Sequence, residues 1–106
     1  MSLDEYQRSL AWKIVNYQKD TDPYEFNDCY ESEIDAFNET LGLLGSPTGI
    51  KDIIKVFKND LEHYNSILDY SDDKDFIKHE IVKTDSLMRE IIDYSKDLKE
   101  MDILRR

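Results

Sequence analysis

Punctuation is scarce in this chain, because its 106 residues contain only three Gly and two Pro. A fold of many short strands needs frequent turns, whereas a few long helices do not. Apolar residues recurring at helical spacing point the same way. The pattern predicts an all-α protein.

Cap residues set the expected helix boundaries. Ser2 with Glu5 three residues on has the form of a capping box, in which each side chain satisfies an otherwise orphaned backbone N–H. Leu3, Tyr6, Leu10, Ile14 and Tyr17 then give a first helix one apolar stripe, which fades in the polar run Gln18 to Thr21. Asp22, Pro23 and Glu25 supply a cap, a proline at the first helical position and a second box. They open a second helix with Phe26, Tyr30, Ile34, Phe37, Leu41 and Leu44 as its apolar face. Gly45 tolerates a left-handed stop that ends this helix near Leu44, and Ser46-Pro47-Thr48-Gly49 reads as a short turn. A third helix follows on Ile50, Ile53, Ile54, Phe57, Leu61, Tyr64 and Leu68, interrupted by Ser71-Asp72-Asp73. The fourth runs on Ile77, Ile81, Met88, Ile91 and Leu98, with Leu87 and Tyr94 beside the stripe and a bend expected near Thr84-Asp85-Ser86.

Short connections between long amphipathic helices make neighbours antiparallel. The expected architecture is a single helical domain over residues 1–106, an antiparallel up-down-up-down four-helix bundle. The alternative is a pair of long helical hairpins completed by dimerisation, so the expected state is monomer or homodimer.

Charge limits the partners. Asp and Glu number 24 against 14 Lys and Arg, for a formal net charge of −10. That balance repels nucleic-acid backbones and anionic lipid, so neither nucleic acid nor membrane is an expected partner and a basic protein surface is. The N-terminus lacks the basic and apolar regions of a signal peptide, and the lone Cys29 cannot form an internal disulfide. A cytoplasmic location is the resulting expectation.

The acids are unevenly placed. Residues 20–49 contain eight Asp or Glu and no Lys, Arg or His. On one continuous second helix, Asp28, Glu31, Asp35 and Glu39 share the side opposite Phe26, Tyr30, Phe37 and Leu41. Like charges four residues apart repel by roughly 0.2 to 0.5 kcal/mol per pair, and Lys51, Lys55 and Lys58 on the third helix are the expected compensation. Beyond structure, such a ladder suits docking to a basic protein. Trp12 falls opposite the first helix's apolar stripe, with Arg8 and Val15, and Tyr24 lies on the acidic side of the second. Both read as contact residues, since aromatic side chains beside charge anchor interfaces. A first helix buried on two sides would instead place Trp12 in the core.

Catalytic signals are weak. There is no Gly-rich phosphate loop, nucleophile elbow or zinc-ligand spacing. His63 and His79, each one turn after an Asp, read as surface residues, and Cys29 as a packing residue on a helix flank. The pairs Glu25 with Asp28 and Glu90 with Asp93 could each offer two carboxylates to Mg²⁺. They define the alternative function, a Mg²⁺-dependent all-α nucleotide pyrophosphohydrolase, although the Glu-x-x-Glu element of those enzymes is missing. The principal expectation is a small acidic, non-enzymatic protein without a cofactor that binds a basic protein. Inhibitors, immunity proteins and adaptors of bacteria or phages have that character.

Overall fold

The computed structural model describes residues 3–105, with side chains described for 4–98, and contains no strand among them. The helices are α1 (Leu3–Thr21), α2 (Pro23–Cys29), α3 (Glu33–Leu44), α4 (Pro47–Ile67) and α5 (Lys74–Arg105). The chain is all-α. Ser2 lies outside the described residues, so its expected capping box does too.

Side-chain caps place the starts of α2, α4 and α5. The Asp22 carboxylate accepts from the Glu25 N–H at 3.1 Å, and Pro23 follows at the first helical position. Ser46 Oγ accepts from the Gly49 N–H at 3.0 Å, so Ser46 to Gly49 form the cap and first turn of α4 rather than the expected separate turn. Asp73 Oδ1 accepts from the Phe76 N–H at 3.0 Å, which makes the 71–73 cluster the start signal of α5. One further expectation is corrected. Gly45 ends α3 in a right-handed conformation (φ −81°, ψ −6°), with its N–H donating to Gly42 O at 3.2 Å. A tightened last turn therefore replaces the left-handed stop. Residues 84–86, where a bend is expected, lie within the one helix α5, and Thr84 is fully buried.

The largest departure lies in the expected second helix, which is two helices. Tyr30 (φ −131°, ψ 139°) and Ser32 (φ −151°, ψ 164°) are extended, and Ser32 Oγ accepts from the Asp35 N–H at 3.2 Å. The Ser side chain competes for an N–H that a continuous helix would bond to a carbonyl, and here it starts a new helix. Five helices result among the described residues where four were expected.

Contacts divide the chain into two compact units, Met1–Ile50 and Lys51–Arg106, with the boundary inside α4. In the first unit α1 packs on α2 and α3. Lys19 pairs with Glu33 and Trp12 stacks on Phe37, while Gln7 Nε2 lies 4.0 Å from where a Gly45 Cβ would sit. As one helix is followed upward the other runs downward, so α1 and α3 are antiparallel. Leu10 and Ile14 are fully buried as the stripe predicts, but so are Ala11 and Val15. The first helix is thus buried on two sides. Val15, Phe26 and Ala36 form one apolar cluster with Tyr30 and Phe37 packed against it. Burying a side chain of the Val or Phe kind contributes about 1.5–3 kcal/mol. The last residues of α3 and the first turn of α4 approach closely, because a Cβ on Gly49 would lie 2.7 Å from Leu43 Cα and 2.9 Å from Leu43 C.

In the second unit, Ile53 and Phe57 of α4 are buried. On α5 the buried residues are Ile77, Glu80, Thr84, Leu87, Ile91 and Tyr94, spaced by alternating steps of three and four. That spacing is a heptad seam. Two of its positions are polar, and Glu80 holds an ion pair with Lys83 Nζ at 3.2 Å. Leu61 and Asn65 of α4 line a groove together with Ile81, Val82, Asp85, Ser86 and Arg89 of α5. The later half of α4 therefore lies alongside the middle of α5.

Candidate functional site

All eight carboxylates of residues 20–49 are solvent-exposed. The break between α2 and α3 redistributes them. Asp28 belongs to α2, Glu31 to the extended connection, and Asp35 and Glu39 to α3, so the expected four-residue ladder on one helix face does not exist. Only Asp35 and Glu39 still share a helical face four residues apart.

Several acids acquire local roles through this break. Asp22 caps α2, and Glu25 sits in its first turn. Glu33 and Asp35 sit in the first turn of α3, where the unsatisfied N–H groups favour negative charge. Lys19, near the end of α1, pairs with Glu33 across an exposed surface. Exposed pairs of this kind contribute little, about 0–1 kcal/mol. Glu39 accepts a hydrogen bond from Tyr30. Burial, then the nearby Glu39 charge and that hydrogen bond, and last Cys29, together raise the Tyr30 pKa above its ordinary value of 10.0.

Asp28 and Glu31 have no such role. Asp28 lies in the last turn of α2, which contains no basic residue, and the carbonyl end of a helix disfavours negative charge by about 0.3–1 kcal/mol. Glu33 is the one acid of the segment held in an ion pair among the described residues. Lys51, Lys55 and Lys58, the expected compensation, are exposed on α4 in the second unit.

Apolar groups accompany the charge. Tyr24 is 84% exposed on α2 and Ile34 is 64% exposed on α3. The apolar period places Ile34 on the buried stripe, but Ala36, Thr40 and Leu44 take that place instead. Trp12 is intermediate between the two expectations for it, being 36% exposed with its ring stacked on Phe37 at a centroid distance of 4.4 Å and an interplanar angle of 16°. One face of the indole is packed against Phe37. Arg8 beside it is engaged by Asp4 at 3.3 Å. Cys29, expected to pack on a helix flank, is exposed at the end of α2.

The candidate metal pairs lie in separate units, Glu25 and Asp28 on α2 and Glu90 and Asp93 on α5. No group of three or more His, Cys, Asp or Glu that could hold a metal ion occurs among the described residues. His63 and His79 are exposed, the former 5.9 Å from the Tyr64 ring. No described helix is long and apolar enough to cross a membrane. No protein-family model matches the chain, and neither a curated protein nor a solved structure matches it.

Proposed function

We propose that this chain is a non-enzymatic helical protein whose acidic segment docks a protein partner with a basic surface, as an inhibitor, immunity protein or adaptor does. The observation that carries the reading is the placement of Asp28 and Glu31. Both are exposed, and Asp28 sits at the carbonyl end of α2 where it opposes the helix dipole. Charge kept where it disfavours the fold is more economically explained by a partner than by stability. Tyr24, exposed on the same short helix, supplies an apolar contact beside that charge. Asp35, Glu39 and Trp12 complete the proposed surface in the first unit. The four-helix bundle topology is part of the same proposal, supported by the reversal of chain direction between α1 and α3.

The test is kinetic. Affinity capture from the source cell supplies the partner, and association is then followed by stopped flow at several salt concentrations. Changing Asp28, Glu31 and Asp35 to Lys is expected to lower the association rate constant by about tenfold or more and to flatten its salt dependence, because complementary fields steer encounter. A folded triple variant that associates at the wild-type rate removes the proposal. Mg²⁺-dependent cleavage of nucleoside triphosphates by the pure protein, lost on changing Glu90 and Asp93 to Ala, removes it too.

A further inference from the structure

The outer face of α5 has a charge order that the acidic segment does not explain. Asp75, Lys78, Val82, Arg89, Asp93 and Lys96 are all exposed. At 100° per residue they fall within an arc of about 60°, so they form one stripe along about 30 Å of helix. Asp75, Lys78, Asp93 and Lys96 have no ion-pair partner among the described residues, whereas Arg89 is held by Asp85 at 2.9 Å. With Asp85 counted as the partner of Arg89, Asp75, Asp85 and Asp93 balance Lys78, Arg89 and Lys96 in a chain of net charge −10.

Its order is also self-complementary. When a second α5 is laid antiparallel about a twofold axis between residues 85 and 86, Asp75 meets Lys96 of the copy and Lys78 meets its Asp93. Symmetry repeats both pairs, giving four opposite-charge contacts. A parallel arrangement in register would put each charge against its own kind. The axis also falls on the groove lined by Leu61, Asn65, Ile81, Val82, Ser86 and Arg89. Val82, 67% exposed, is the apolar residue of the stripe, and the twofold carries it over Arg89 of the copy at the groove's edge.

We infer that α5 is a self-association surface, and that two copies of this chain pack their α5 helices antiparallel about an axis at Asp85 and Ser86. The occupant is a second copy rather than the basic partner proposed for the acidic segment, because this face is balanced and its charges match their own reversed order. The interface is isologous, with Val82 and the groove near its centre and the ion pairs at its two ends.

Sedimentation equilibrium of the full chain tests this from micromolar to about millimolar concentration, the range that captures a weak dimer. One variant carries Asp75→Lys with Asp93→Lys, and a second carries Lys78→Glu with Lys96→Glu. Each alone is expected to dimerise about tenfold or more weakly than wild type, and an equimolar mixture of the two is expected to recover dimer as a heterodimer. Val82→Lys, which sets a second cation against Arg89 of the copy, is expected to weaken the wild-type dimer without changing helix content by circular dichroism. A wild-type chain that stays monomeric throughout overturns the inference. Dimers indifferent to all three variants, or a mixture of folded charge variants that fails to recover association, overturn it as well.

Discussion

Replacing Gly49 by Ala tests the closest backbone approach in the first unit, and two effects oppose each other there. Ala is favoured over Gly in a helix by up to about 1 kcal/mol, and by less in a first turn such as this one. Against that, the new Cβ would stand 2.7 Å from Leu43 Cα and 2.9 Å from Leu43 C, and backbone atoms of α3 cannot rotate aside as a side chain would. Overpacking of this sort costs about 1–3 kcal/mol, so the net change is expected to be a loss of about 1–2 kcal/mol. With a urea slope of about 1–3 kcal/mol per molar, the midpoint falls by roughly 0.3–2 M. Gly42→Ala is the control, since nothing lies within 4 Å of the place its methyl group would take on exposed α3. It is expected to stabilise by about 0.4–1 kcal/mol. Urea titrations followed by circular dichroism report both. If Gly49→Ala raises the midpoint as Gly42→Ala does, the contact between the end of α3 and the start of α4 is not as described.

Ser32→Ala should cost about 1 kcal/mol if Ser32 caps α3, but should stabilise slightly if one helix ran through residues 22–44, so the sign in a chemical melt distinguishes the two. Trp12→Ala should cost less than the ~3–5 kcal/mol of a fully buried Trp. A double-mutant cycle with Phe37→Ala should give a coupling of about 0.5–1.5 kcal/mol, and zero coupling would contradict the stack. For Tyr30 the folded state favours the neutral phenol, so its stabilising contribution is complete below the unfolded value near 10.0 and is lost as pH rises through the higher folded value. Tyr30→Phe should therefore flatten the loss of stability above about pH 10, and an unchanged alkaline slope in denaturant melts would count against the burial of Tyr30.

Much of the helix layout was legible because caps and prolines act locally. Asp22 with Pro23 opens α2 as its spacing predicts, and Leu10, Ile14, Phe57 and Ile91 are buried where their periods place them. The break at residues 30–32 was hidden because Phe26, Tyr30, Ile34 and Phe37 keep an apolar period straight through it. The overlooked signal was Ser32 with Asp35, a cap in the middle of that period. Small and polar core residues defeated the rest. Ala11, Ala36, Thr40, Glu80 and Thr84 are buried, so apolar counting shifted the α5 stripe toward Ile81 and Met88 and moved the α3 stripe to Ile34. Trp12 was ambiguous for a related reason, since α1 contacts two helices and a single-stripe wheel has no place for a side chain on its second buried flank.

The shortness of α2 has a consequence for how the acidic segment behaves in time. It is seven residues long and has Phe26 as its buried residue. Isolated helices below about 12–15 residues are marginal in water, so α2 depends on that ring staying docked beside Val15 and Ala36. Its amides can exchange with solvent through an opening that undocks one side chain, at a lower free energy than global unfolding. Glu25, Asp28 and Tyr24 travel with it. For the proposed docking surface, a partner selective for the docked form is expected to protect α2 from exchange, with its apparent affinity scaled by the docked fraction.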